Sequence, residues 1–151
     1  MNYAGITDCS ICDGEGFRVV LFVQGCEHNC PGCHNPETHN RFGGKTFTNE
    51  TYDELCRLLS RPYIKGLTLS GGDPMAIYNR DTVITLAKQI KEELPNKDIW
   101  LYTGYTLREL KDQDVNLDYF DVIVDGPFIK AQADKTLAFR GSKNQKIYDM
   151  R

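Results

Sequence analysis

Short apolar runs alternate with amphipathic stretches along this chain. "FRVVLFV" (17–23) is apolar, β-branched and short, which predicts a buried strand. "GLTLS" (66–70), "DIWLY" (98–102) and "YFDVIVD" (119–125) predict three more. The stretches between them carry helical spacing. "TYDELCRLLS" (51–60) sets Tyr52, Leu55, Cys56 and Leu59 on one face, and Thr51 and Glu54 have capping-box spacing at its start. "DTVITLAKQIKEEL" (81–94) aligns Val83, Ala87, Ile90 and Leu94, and Pro95 stops it. "TLRELKDQ" (106–113) predicts a short helix, whereas the tail "FIKAQADKTLAFRGSKNQKIYDMR" shows no readable period.

The resulting order, β-loop-α-β-α-β-α-β, predicts a parallel sheet with helical crossovers. Sites in such sheets lie at the carboxyl ends of the strands. Three unusual loops begin there: a cysteine-rich loop after residue 23, "SGGDP" (70–74) and "TGY" (103–105). A closed eight-stranded barrel needs about 250 residues. A chain of 151 residues makes only part of one, with its inner face open. No repeat or linker interrupts it, so residues 1–151 are expected to form one domain.

Composition narrows the function. The chain is 40% hydrophobic and 26% charged, enough for a packed core. A net charge of −3 lacks the basic footprint of a nucleic-acid binder. The longest aliphatic or aromatic run, "VVLFV" (19–23), is far short of the ~20 residues a membrane span needs. "MNYAGITDCS" has no secretory-signal pattern, so a cytoplasmic protein is expected. Six cysteines in that setting point to metal or redox use rather than a disulfide framework.

Three of them fall within "GCEHNCPGCHN" (25–35), as Cys26, Cys30 and Cys33 in a C-x3-C-x2-C spacing. Three thiolates on a 4Fe–4S cubane leave one iron open for a small molecule. A zinc site made with His28 or His34 has equal standing on spacing alone. Cys9-x2-Cys12 can join a site, form a redox pair or be incidental. Cys56 on an apolar helix face reads as a small buried hydrophobe, and His39 as a loop residue.

The rest of the chain breaks that tie. C-x3-C-x2-C after the first strand, with Gly-Gly-Asp-Pro ending the second, resembles the radical S-adenosylmethionine (SAM) enzymes. Within them, "MNY", "DGEGFRVVLFVQGCEHNCPGCHN", "GLTLSGGDP", "DIWLYTGY", "DVIVDG" and "RGSKNQ" resemble, in order, the activating proteins of anaerobic class III ribonucleoside-triphosphate reductases. The resemblance implies that Cys26, Cys30 and Cys33 ligate three irons of a 4Fe–4S cluster and that SAM chelates the fourth. It implies reductive cleavage of SAM to a 5′-deoxyadenosyl radical, which takes a hydrogen from a glycine of the large reductase subunit. A low-potential, flavodoxin-like electron donor is implied as a second partner. Gly71, Gly72 and Asp73 are implied to offer backbone groups to SAM, Gly32 and His34 to contact its adenine, and Thr103 and Gly104 to line its pocket. The chain departs from the family at His34, where an aromatic residue is frequent, at Thr38-His39 for Thr-Trp, and at Phe139 for Trp. His34 is therefore also a candidate to cap the fourth iron. Asp125 ends the fourth strand, where it could contact cofactor or partner; Arg140, Ser142, Asn144 and Gln145 of "RGSKNQ" receive no assigned role beyond the alternative of a capping tail that satisfies backbone groups. The rival functions are activation of another glycyl radical enzyme, such as pyruvate formate-lyase, and a non-catalytic metal-binding module.

Overall fold

In the computed structural model, which describes residues 1–28, 30–33 and 36–151, seven strands and three α-helices follow one another, with short 3-10 turns at Pro36–Thr38 and Lys130–Gln132. They are β1 (Asn2–Ser10), β2 (Phe17–Val23), β3 (Lys45–Thr46), α1 (Asn49–Leu59), β4 (Ile64–Gly71), α2 (Ile77–Glu93), β5 (Asp98–Tyr102), α3 (Leu107–Asp112), β6 (Val122–Asp125) and β7 (Lys146–Asp149). The seven strands share one sheet in the order β3-β1-β2-β4-β5-β6-β7. β2, β4, β5 and β6 pair in parallel, as the alternating pattern predicts. β1, β3 and β7 add antiparallel edges that the sequence did not announce.

Each crossover between the parallel strands advances one position in the same direction. Crossovers of one hand then place all three helices on one face. The core agrees: Val19, Leu21, Leu67, Leu69, Ile99, Leu101 and Ile123 from alternate strand positions form a single apolar cluster with Leu55, Val83, Ile90 and Leu110 of the helices. The intervening positions face the other way. There Trp100, Val122 and Val124 make a smaller cluster, against which Tyr102 and Phe139 pack. Among the described residues no helix is long and apolar enough to cross a membrane.

Several boundaries differ from expectation for identifiable reasons. α1 is capped by Thr48, with Thr51 as the reciprocal partner, rather than by Thr51 and Glu54. Glu54 instead pairs with Arg57 one turn on, at 2.6 Å. α2 begins at Ile77 rather than Asp81, and Ala76 at its N-cap makes no side-chain cap. β6 starts at Val122, because Leu117–Phe120 closes a turn and the Asp121 carboxylate accepts from Ile99 N at 2.7 Å. α3 agrees best, with Thr106 and Glu109 forming a capping box.

One polar residue is built into the unhelical face. Arg18 of β2 is fully buried. Its Nε donates to Thr68 Oγ1 at 2.7 Å, while its terminal nitrogens donate to Glu15 O at 3.0 Å and Leu67 O at 2.9 Å. It forms an ion pair with Asp98 at 2.7 Å, and its guanidinium lies 5.4 Å from the Trp100 ring centroid. Burial pulls its pKa below the ordinary arginine value, and Asp98 opposes that shift. The arrangement plugs the amino-terminal half of this face and ties the 11–16 loop to it. Replacing Arg18 with Met is expected to lower stability by roughly 2–3 kcal/mol in urea unfolding, because Thr68, Leu67 and Asp98 lose a buried partner. A loss below about 0.5 kcal/mol, the range of ordinary surface changes, would contradict that account.

Candidate functional site

The carboxyl ends of the parallel strands converge on one cavity of about 120 Å³. Cys26, Cys30 and Cys33 line one side, and Gly71, Gly72, Thr103 and Gly104 the other. The three loops singled out in the sequence therefore meet in space. Gly32 lies outside this wall: a Cβ built there would approach Phe128 and Lys130. His34 falls outside the described residues.

The glycines are required by backbone packing. Gly71 has φ +107°, and a Cβ on it would come within 2.5 Å of Val23 N and O. At Gly72 a Cβ would meet Gly25 O at 2.3 Å and Thr38 O at 2.8 Å. At Gly104 it would strike the His28 ring at 2.5 Å. These contacts bring the cysteine loop hard against the ends of β4 and β5. Main-chain bonds fix it there: Gly72 N donates to Val23 O at 2.9 Å, Asp73 N to Gly25 O at 2.7 Å, and Gly25 N to Thr38 O at 2.6 Å.

Asp73 is the knot of the arrangement. It is fully buried. Its Oδ1 accepts from Met75 N and Thr103 Oγ1, each at 2.9 Å. Its Oδ2 accepts from Gly104 N at 3.0 Å and faces His28 Nε2 at 2.6 Å. One carboxylate thus ties together the cysteine loop, the Gly-Gly-Asp-Pro turn and the Thr-Gly-Tyr loop. The Asp73 hydrogen bond raises the His28 pKa above the ordinary imidazole value, while partial burial works against that. The His28 ring also stands edge-on to Tyr105, centroids 4.6 Å apart.

Other residues of the site carried no sequence signal of their own. Glu27, next to Cys26, accepts from Ile77 N at 3.1 Å and from Tyr105 Oη at 3.0 Å. It supplies from the cysteine loop the cap that α2 lacks locally. Buried Asn79 donates to Gln24 O at 2.9 Å and Asp73 O at 3.2 Å. Cys12 lines a neighbouring, larger cavity together with Cys33, while Cys9 is exposed elsewhere. Cys56 is only half-buried, its Sγ 3.9 Å from Glu93 Oε2.

The tail motif is a hydrogen-bonded corner. Gln145 Oε1 accepts from Gly141 N and Ser142 N at 2.8 and 3.0 Å, and its Nε2 donates to Gly126 O at 3.0 Å. Asn144 Nδ2 donates to Pro127 O at 2.8 Å, and Arg140 donates to Gln145 O at 2.7 Å. Asp125 accepts from Leu107 N at 2.8 Å and Lys146 N at 3.2 Å. These bonds give the capping reading of the tail its physical content.

The donor set suits an iron–sulfur cluster. Three thiols border one cavity, and thiolates are the ligands such clusters take. His28, the zinc-ligand candidate of the loop, has its Nε2 committed to Asp73. Among the described residues no three Cys, His, Asp or Glu side chains, the three cysteines included, are drawn together closely enough to hold a metal ion, so the ligand chemistry rather than the geometry favours the cluster.

Comparison with known proteins defines the class first: residues 12–148 match the family described as "4Fe-4S single cluster domain". The chain is 47% identical over 148 residues to the anaerobic ribonucleoside-triphosphate reductase-activating protein of enterobacteria phage T4, covering 98% of this chain and 94% of that one. The protein of the same name from Vibrio cholerae serotype O1 is 48% identical over 151 residues, with 98% and 97% covered. That of Escherichia coli K12 is 40% identical over the full length of both chains. The chain belongs to the family of anaerobic ribonucleoside-triphosphate reductase-activating proteins.

Proposed function

We propose that this chain, acting as one radical SAM domain over residues 1–151, cleaves S-adenosylmethionine reductively and generates the glycyl radical of an anaerobic ribonucleoside-triphosphate reductase. Cys26, Cys30 and Cys33 would hold the 4Fe–4S cluster. When bound, that cluster supplies the electron that breaks the sulfonium S–C5′ bond, and the protein supplies position, dryness and electrostatics. The observation that carries this reading is the meeting of the three cysteines with three glycine-bearing strand ends in one cavity.

The chain's own groups divide the work. The SAM ammonium is a donor, so what the turn can offer it is its carbonyl oxygens, while Gly72 N and Asp73 N donate within the protein. Gly71 and Gly72 allow that backbone to lie close to the ligand as well as to β2. Thr103 and Gly104 form the facing wall. Asp73 acts as a positioning residue, because its carboxylate is occupied by protein donors. Gly32 and His34 are assigned to the adenine side. The open face of the partial (β/α) barrel would admit the reductase's glycine loop, whose arrival excludes water from the radical. A flavodoxin-like donor would deliver electrons in the cytoplasm.

The test is anaerobic reconstitution with iron and sulfide, reduction, addition of SAM, and assay of 5′-deoxyadenosine. The reductase is then added and its glycyl radical read by electron paramagnetic resonance. Both products are expected. A full cluster yielding neither product, with or without the reductase, would reject the reading. Zinc without iron would favour a binding module, and a radical formed only on pyruvate formate-lyase would favour a different client.

A further inference from the structure

A cavity of about 440 Å³ opens between the first turns of α2 and the loop that leaves α3. Neither the cysteine loop nor the glycine turns line it. Its volume lies in the range of ligand-binding clefts. Arg80 supplies its cation. Arg80 Nε donates to Met75 O at 3.0 Å and Nη1 to Gln113 Oε1 at 2.8 Å, and these two bonds fix the guanidinium. Its Nη2 is buried and, among the described residues, finds no hydrogen-bond partner. A charged donor held in place and left unpaired calls for an acceptor.

The other walls say what carries that acceptor. Asp81 and Asp114, both exposed, line the cavity as well. Two carboxylates beside one guanidinium oppose a simple anion such as phosphate. Ile84 and Val115 are half-buried, pack onto the main core and add an apolar wall. A ligand that meets all of these brings a carboxylate for Arg80, an ammonium for the aspartates and a short apolar chain for Ile84 and Val115. Those are the parts of a free α-amino acid with an aliphatic side chain. The Arg80 guanidinium also lies 5.5 Å from the Tyr105 ring centroid, and Tyr105 bonds Glu27 and stands edge-on to His28. The cavity thus sits behind the Asp73 knot and reaches it through one ring.

We propose that this cavity binds a free aliphatic α-amino acid, with its carboxylate on Arg80 Nη2 and its ammonium held by Asp81 and Asp114. The site stands on this geometry alone. The choice of methionine within that class rests on the activase reading above, in which methionine is released by the reaction. It makes the cavity a product-binding site apart from the cysteines.

The test is an anaerobic titration of isotope-labelled, reconstituted protein with L-methionine, followed by amide NMR. Saturable shifts are expected at Ile84, Thr85 and residues 114–116, with a Kd of about 1 mM or tighter, within reach of so small a ligand. L-norleucine, which lacks the sulfur, should bind about as tightly. N-acetyl-L-methionine and L-methionine methyl ester each lack one charge and should bind at least about tenfold more weakly, the weight of one charge-assisted hydrogen bond. Two variants locate the site. Asp114→Asn removes a carboxylate at a position of φ +54°, which Asn adopts readily, and Thr85→Trp fills the cavity from an exposed place on α2. Each should weaken methionine binding about tenfold and leave 5′-deoxyadenosine formation at saturating SAM within about twofold of wild type. Shifts that survive both variants, that are confined to the cysteine loop, or that N-acetyl-L-methionine reproduces at equal concentration would overturn the proposal. Wild-type protein that binds methionine and norleucine here but forms no 5′-deoxyadenosine would uphold the site and overturn the activase reading instead.

Discussion

Replacing Asp73 with Ala should lower the stability of the metal-free chain by roughly 4 kcal/mol, the range for removing one side of a buried charged network. Thr103 Oγ1, Gly104 N and Met75 N would each lose an acceptor inside the protein, and His28 its partner. Unsatisfied buried donors cost about 1–3 kcal/mol each. Water reaching them from the adjacent cavity keeps the total below the sum. Asp73→Asn preserves Oδ1 but turns an amide toward two donors, so it should fall between the two. Urea unfolding measures the stability, and iron content after reconstitution measures the site. A loss under about 1 kcal/mol with full iron would show that the loops hold their places without the knot.

Removing any one of the three motif thiols should have the largest effect on function. Cys26→Ala, Cys30→Ala and Cys33→Ala should each lose most bound iron and lower 5′-deoxyadenosine formation by more than about 100-fold. That exceeds the 10–100-fold typical of groups that merely support metal ligands. Metal-free stability should change little, since these half-buried side chains lie outside the apolar core. Cys9→Ser and Cys56→Ser are the controls: Cys9 is exposed and Cys56 sits on α1 beside Glu93. Full iron in Cys33→Ala, or loss of iron in Cys9→Ser, would move the ligand set elsewhere.

The parts of this fold that were legible in sequence are those fixed by local pattern. β2 and β5 have the bounds that their apolar runs predict, because both are buried central strands. α3 carries its own capping box. β1 and β7 were illegible because each is mostly half-exposed or exposed, with no strong alternation; β7 is an edge strand, and β1 is covered on its outer side only by the two-residue β3. The start of α2 was misread because its cap comes from Glu27, fifty residues earlier. The site shows the same division. The cysteines and the glycine turns were visible as motifs, but the double glycine is also demanded by β2 and the cysteine loop pressing on it. Asp73 stood out as a contact candidate, whereas its geometry is that of an organiser. His28 entered the sequence reading only as a possible zinc ligand, and nothing local marks its contact with Asp73. Arg18 passed unnoticed within its apolar run, since its partners Thr68 and Asp98 come from two other strands.

The two faces of the sheet differ in what they can tolerate. The helix-covered face holds the main apolar cluster, and alterations there threaten the whole molecule. The carboxyl half of the opposite face is walled by a tail corner that pairs chiefly with itself and with Gly126 and Pro127. That makes the molecule modular in an engineering sense. The corner spanning Phe128 to Gln145 can be re-cut without touching the helix-covered core, while the cysteine loop, its glycine seats and the Asp73 knot are carried over unchanged.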